Sequence, residues 1–392
     1  MASVVMVVNC GSSSVKLDVF LLPSEVNPLS VHIDRVGKLG TRLTIAKPGL
    51  AKEGRAVQAA DVRAAVGLAI EEVTSAGFAV DIVGHRVVHG GDRFSDSVKI
   101  DEVVLEHIRA CVPLAPLHNP ANLAGIEVAR ARWPQAPQVA VFDTAFHQTL
   151  APEAYLYAIP RSLHDELGVR RYGFHGTSHR YVAERAAVFL GRASTTLRLV
   201  TLHLGNGCSA CAIDGGRSVD TSMGMTPLEG LVLGTRSGDL DPAVVLLLAR
   251  ARGIDEVDRL LNHDSGLLGL SGKSNDMRDL ERVAAAGDSD ADLAIKVFTH
   301  RVRKVVGGYA AVLGGLDAVV FTGGIGENSV RVRRDICRGL QVLGAQLDER
   351  KNEGSARGER DIASGDSRAR LLVLPTDEEL AIARDALRLT GC

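Results

Sequence analysis

The sequence predicts a mixed α/β protein made of two related domains, and three observations carry that expectation. Apolar strand runs alternate with helical patterns along most of the 392 residues. Two hairpins of one design, each turning through small polar residues, lie roughly two hundred residues apart, as a duplicated unit would place them. A third strand breaks into Thr322-Gly323-Gly324-Ile325-Gly326-Glu327-Asn328 at a helix start, where bare backbone N–H groups can meet a ligand.

The first hairpin runs from the apolar residues 4–8 into Asn9-Cys10-Gly11-Ser12-Ser13-Ser14. It returns with Val15, Leu17 and Val19 alternating against Lys16 and Asp18. Its tip offers three hydroxyls and an amide, with Lys16 behind them. Helical patterns follow over 59–76, 102–111 and 119–132, the last with Asn119 as its cap and Pro120 in the first turn. Buried strands are expected at 82–88 and 138–142. A loop-rich stretch reaches His179, and a helix covers 180–190. The second hairpin turns at Gly205-Asn206-Gly207 between strands 199–204 and 208–213. Helices near 243–252, 255–262 and 288–313 lead to a strand at 317–321, then to an Arg-rich helix over 329–340 and a strand at 371–374. Thr376-Asp377-Glu378-Glu379 opens the last helix as a capping box of Thr376 and Glu379. The polar segment 352–367 reads as a surface loop without chemistry.

Composition narrows the function classes. Hydrophobic residues make up 46%, which excludes disorder, and a net charge of −2 gives no general attraction to nucleic acid or membranes. The N-terminal apolar run is too short for a signal peptide or a span, so a cytoplasmic protein is expected. The six cysteines are scattered, and Cys208 and Cys211 fall on opposite faces of one strand, which predicts reduced thiols rather than a zinc site. Gly266 to Ser274 imitates a phosphate-binding P-loop, but five residues rather than four separate its outer glycines, and no strand precedes it.

Four polar clusters suggest a second substrate. His85-Arg86-Val87-Val88-His89 ends one buried strand, and Val141-Phe142-Asp143-Thr144 ends another. His175 and Arg236 stand in glycine-rich loops. Strand ends of α/β sheets are where ligands bind. Two arginines, a lysine and histidines suit an acceptor that is itself an anion, because phosphoryl transfer between two anions needs fixed positive charge.

These segments, together with Pro-Leu-Ala-Pro-Leu-His-Asn-Pro at 113–120 and Tyr-Gly-Phe-His-Gly-Thr-Ser-His at 172–179, resemble the acetate kinase family in the family's own order. The resemblance implies the duplicated ribonuclease-H-like, actin-like ATPase fold shared with sugar kinases and heat-shock chaperones, with the active site in the cleft between domains. The expected domains are 1–145 with 380–392, and 146–379. A homodimer is implied, with transfer of phosphoryl from ATP to acetate giving acetyl phosphate and ADP, as in acetyl-CoA biosynthesis. Magnesium, or manganese in its place, is implied at Asn9 and Glu378. Carried over by position, Arg86, Asp143, His175 and Arg236 are the catalytic candidates. Arg86, Val88, Leu117, Phe174 and Pro227 resemble the acetate site. Ser12, Ser14, Lys16, His203, Leu204, Gly205, Asn206, Gly207, Asp276, Met277, Arg278, Gly324, Ile325, Gly326, Glu327 and Asn328 resemble the nucleotide contacts. Asp377 stands where the family often has Asn, and Glu379's capping role favours Glu378 as the metal-facing residue. Propionate kinase is the alternative in the same family. Pyrophosphate-dependent and purely ATP-hydrolysing relatives fit less well with the glycine-rich adenosine loop and the arginine pair.

Overall fold

The computed structural model describes residues 2–354 and 357–391. Met1, Ser355, Ala356 and Cys392, the last of the six cysteines, lie outside the described residues. The chain divides into two compact units, one of Met1–Gln148 with Asp377–Cys392 and one of Thr149–Thr376.

The first unit holds an eight-stranded sheet: β1 (Ser3–Cys10), β2 (Ser14–Leu22), β3 (Val26–Asp34), β4 (Arg42–Ala46), β5 (Glu53–Ala56), β6 (Ile82–Val87), β7 (Val98–Lys99) and β8 (Gln138–Phe142). Their spatial order is β5-β4-β3-β2-β1-β6-β8-β7. β2 and β3 run antiparallel to their neighbours, whereas β1, β6 and β8 are mutually parallel. Alternation along β1 sends Met6, Val8 and Cys10 into a core that includes residues of the helices Val62–Ser75 and Asn119–Arg132. The other face of the sheet takes the helix Glu378–Thr390. Gly84 lets that helix approach β6, since a Cβ there would stand 2.7 Å from Ile382 Cγ2.

The second unit holds β9 (Arg198–Leu204), β10 (Cys208–Asp214), β11 (Arg217–Thr221), β12 (Ala318–Thr322), β13 (Arg360–Asp361) and β14 (Arg370–Val373), in the order β11-β10-β9-β12-β14-β13. β9, β12 and β14 are parallel, and β10 and β11 are antiparallel. The run β11-β10-β9-β12-β14 therefore repeats β3-β2-β1-β6-β8 strand for strand and direction for direction. The two hairpins read from the sequence occupy the same place in their sheets, which is the duplication expected above.

Several local expectations are corrected. Asp61 caps its helix by accepting from Ala64 N, so the helix starts at Val62 rather than 59. Asn119 lies inside its helix rather than at the cap, which is His118, and it is fully buried. Asp377, not Thr376, caps the last helix, its Oδ1 accepting from Leu380 N at 2.9 Å. Thr376 Oγ1 instead lies 2.8 Å from Ser178 Oγ. The glycine-rich segment forms a short helix of its own, Gly323–Asn328, before the Arg-rich helix Val330–Cys337. The segment 352–367 is no mere loop, for Asn352 is buried and Arg360–Asp361 pairs with β14.

The described cysteines, at 10, 111, 208, 211 and 337, are free and buried. Residues 266–271 form a helix, preceded by the helix Ile254–His263 rather than by a strand, so the P-loop stays refused. Among the described residues no helix is long and apolar enough to cross a membrane.

Candidate active site

Register alone gathers the first unit's polar residues. Asn9 and Lys16 are antiparallel partners at the end of β1 and β2, and Val8 pairs with His85 on β6. Arg86, next on β6, lies beside Val141 of β8, whose chain continues to Asp143. Arg86 then grips Asp143 with two parallel bonds, Nε to Oδ1 at 3.0 Å and Nη2 to Oδ2 at 2.7 Å. Its Nη1 donates to Asn9 Oδ1 at 3.4 Å, and Nε lies 3.9 Å from Glu378 Oε2 in the first turn of the last helix. Burial works against the guanidinium charge, but Asp143 and Glu378 overcome it and raise the pKa.

Lys16 Nζ lies 2.9 Å from Glu379 Oε1 and 3.3 Å from Asp18 Oδ2. Burial would lower its pKa, yet these carboxylates raise it; Glu379 is correspondingly lowered by Lys16 against the effect of burial. The cation nearest Glu378 is Arg86, at 3.9 Å and already clamped by Asp143. Burial pushes Glu378 up to about 7, while Arg86 and Lys16 pull it down and Asp143 and Glu379 push it further up. The two adjacent glutamates are thus distinct: Glu379 is held ionised by Lys16 at 2.9 Å, and Glu378 is the one whose charge burial disfavours.

Two asparagines set this sheet edge, Asn122, which the sequence reading passed over, and Asn119, which it took for a helix cap. Asn122 accepts from Val88 N at 3.0 Å and donates to Cys10 O at 2.8 Å, tying the end of β6 to the end of β1. Asn119 accepts from His89 N and donates to His89 O, at 3.1 and 3.0 Å. Their spacing of three on one helical face was the available signal. Val88 is buried and Leu117 is 46% exposed. Ser12 is exposed and Ser14 half-buried at the hairpin tip.

In the second unit, His175 has a left-handed backbone with φ 56° and precedes the helix Gly176–Leu190. Its ring stacks on His203, centroids 4.3 Å apart, and its Nδ1 is 2.8 Å from Ser209 Oγ. Ser209 also meets His179 Nε2 at 2.8 Å, and His203 Nδ1 meets Ser178 Oγ at 2.8 Å. A side chain at Gly207 would stand 3.2 Å from the His175 ring, so the glycine turn makes room for it. Asn206 is pinned by Asn275 Nδ2 at 2.8 Å and its carbonyl takes Gly234 N at 2.9 Å. Ser209 was missed because a lone serine on an apolar strand gives no pattern.

Arg236 differs from Arg86. Among the described residues it pairs with no carboxylate; Nη1 donates to Pro227 O at 3.3 Å, and burial lowers its pKa. Phe174 is buried. Asp276 caps the helix Met277–Ala285 and is held by Arg278, Nε to Oδ1 at 3.0 Å, while Met277 is buried. In the helix Gly323–Asn328, Gly323 N donates to Glu327 Oε1 at 3.0 Å and Asn328 Nδ2 to Gly324 O at 2.9 Å. Gly323 is required, because a Cβ there would meet Leu204 O at 2.7 Å, whereas a Cβ on Gly324 would meet nothing within 4 Å. One glycine serves packing and the other leaves open surface.

Comparison with known proteins agrees on one family. The model of the acetokinase family matches residues 4–384. The acetate kinase of Natranaerobius thermophilus is 49% identical over 396 residues, covering 99% of each chain. The crystal structure of Porphyromonas gingivalis acetate kinase superposes with a TM-score of 0.93 at 42% identity, over 99% of this chain and 100% of that one. A propionate kinase from Francisella tularensis gives the same TM-score, identity and coverage.

Proposed function

This chain belongs to the acetokinase family, and from that premise we propose that it transfers the γ-phosphoryl group of ATP to acetate, reversibly, giving acetyl phosphate and ADP. The observation that carries this reading is the contrast between its two arginines. Arg86 is clamped by Asp143, while Arg236 is a half-buried cation whose recorded partner is a main-chain carbonyl. A desolvated guanidinium without a carboxylate suits an anion that arrives with the substrate.

An acetate oxygen attacks the γ-phosphorus, and the bond from phosphorus to the bridging oxygen of ADP breaks. Acetate is already ionised near neutral pH, so no proton has to be removed. Asp143 then acts by fixing Arg86, not as a base. Arg86, Arg236 and His175 supply fixed charge and hydrogen bonding around a loose, planar phosphoryl group, so catalysis is positioning and neutralisation. Lys16, Ser12, Ser14, the turn His203 to Gly207, Asp276 to Arg278 and the segment Gly324 to Asn328 are proposed as nucleotide and phosphate contacts. Val88, Leu117, Phe174 and Pro227 are proposed to receive the methyl group.

Magnesium fits the donor set. Asn9 Oδ1 and the Glu378 carboxylate are hard oxygen ligands, and Asp18, Asp143, Glu378 and Glu379 outnumber the cations Lys16 and Arg86. Among the described residues no three His, Cys, Asp or Glu side chains form a metal-holding group, in keeping with an ion that keeps its waters and substrate oxygens. Bound by Asn9 and Glu378, it would screen the phosphate charge. A cytoplasmic homodimer completes the proposal. The helix Pro242–Arg252 has no buried residue, and Val244, Leu246 and Leu247 leave apolar surface exposed on more than one side of it, suited to a second copy.

Propionate is the second reading, because a propionate kinase is structurally as similar as an acetate kinase. Trapping the acyl phosphate as its hydroxamate, with ATP and acetate, propionate or butyrate, decides between them. Highest kcat/KM with acetate supports the proposal; ATP hydrolysis without any acyl hydroxamate overturns it.

A further inference from the structure

Arg333 lies in the helix Val330–Cys337, is 1% exposed, and has no carboxylate partner among the described residues. All its recorded hydrogen bonds go to neutral oxygens. Nη1 donates to Gly326 O at 3.0 Å and to Glu327 O at 2.9 Å. Nε and Nη2 donate to Asn352, to Oδ1 at 2.8 Å and to the carbonyl at 3.1 Å. Asn352 is itself fixed, Nδ2 donating to Val330 O at 3.0 Å, and Arg360 Nη2 adds a bond to Glu327 O at 2.9 Å.

Burying a cation without a counter-charge is costly, and a well-packed apolar side chain would serve stability as well. What the guanidinium adds is direction. Gly326 O and Glu327 O belong to the last turn of the helix Gly323–Asn328, where a helix cannot satisfy its own carbonyls. At the other end, Glu327 Oε1 holds Gly323 N. The short helix is therefore held from outside at its C-terminal end, by Arg333 and Arg360, and braced at the other by its own Glu327, while Gly324 faces open space.

We propose that Arg333, seated on Asn352, is a positioning residue that orients the segment Gly323–Asn328 and thereby sets nucleotide affinity without taking part in phosphoryl transfer. This rests on the reading above that the segment holds the nucleotide. Asn352 and Arg360 come from the stretch that the sequence read as chemically silent.

The experiment compares Arg333→Met, Arg333→Lys, Arg360→Met and Gly324→Ala, measuring KM for ATP, KM for acetate and kcat. Loss of hydrogen bonds to a charged group predicts a rise in the ATP KM of about tenfold for Arg333→Met. The acetate KM should stay within about twofold, because none of the hydrogen bonds of Arg333 goes to a residue proposed to receive acetate. Arg333→Lys should restore part of the loss, since one point charge can meet one carbonyl. Equal changes in both KM values, or an unchanged ATP KM, would overturn the inference. Where Arg333→Met yields no folded protein, the half-buried Arg360→Met decides: a selective rise in the ATP KM supports the inference and none overturns it. Gly324→Ala separates this from the underlying reading. If Gly324→Ala raises the ATP KM and Arg333→Met does not, only the positioning role fails; if Gly324→Ala changes nothing, the nucleotide assignment of the segment fails.

Discussion

Arg86 and Asp143 meet as a planar, two-bonded pair at 3.0 and 2.7 Å, each standing at the end of one of two adjacent parallel strands. Asp143 is 1% exposed, so the arginine is its main compensation and its fixed mount. Arg236 has no such counterpart.

That asymmetry predicts different outcomes for one substitution. Arg86→Ala and Arg236→Ala should each lower kcat by about 10²- to 10⁴-fold through lost electrostatic stabilisation. Arg86→Ala should also destabilise the fold by roughly 3–5 kcal/mol, since a buried carboxylate loses its partner. Arg236→Ala should leave the urea midpoint close to wild type. An Arg236→Ala enzyme with normal turnover would remove the arginine from the mechanism.

Asn9→Ala and Glu378→Ala should both raise the magnesium concentration needed for half-maximal activity, and Mn²⁺ should recover part of the loss. Glu379→Gln is the internal comparison. It breaks the ion pair with Lys16 and should shift the metal requirement far less. Equal shifts at 378 and 379 would merge the roles that their surroundings separate.

Val88→Ala tests the acyl pocket. The backbone N–H of Val88 is held by Asn122, so shortening the side chain leaves the strand end tied. A methylene is discriminated by roughly 1–3 kcal/mol in an apolar pocket. The preference for acetate over propionate in kcat/KM should therefore fall by about tenfold or more. If both substrates slow in parallel, Val88 supports the core and the pocket lies elsewhere.

His85 supplies a pH signature. It is buried on β6, its Nε2 2.7 Å from Gln138 Oε1, and burial lowers its pKa to about 4 from 6.5. The unfolded chain takes up the proton first as pH falls, so the stability from this site is complete above about pH 6.5 and is lost toward pH 4. Between about pH 7 and 5, wild type should lose on the order of 2 kcal/mol more than His85→Leu by urea unfolding. Parallel pH profiles would show that His85 accepts a proton in the folded state.

Much of this was legible beforehand because it rests on short-range rules. Hairpin tips, strand ends and glycine turns sit where period-two alternation and turn chemistry placed them. The edge strand β5 was hidden because it is exposed along its length and offers no alternation. The roles of Glu378 and Glu379 depended on which one reaches Lys16 across the fold. Asn352 read as loop because its partner, Arg333, lies 19 residues away, beyond the reach of any local pattern.

The helix Glu378–Thr390 belongs to the same unit as the strand that begins at Ser3. During synthesis, one face of that first sheet must wait at Gly84 until residues 378–390 have been made. The nascent first unit is thus a client of that later segment, which alone can cover the face at Gly84. A chain halted before residue 377 would carry Asn9, Lys16 and Arg86 on a sheet still missing one of its layers.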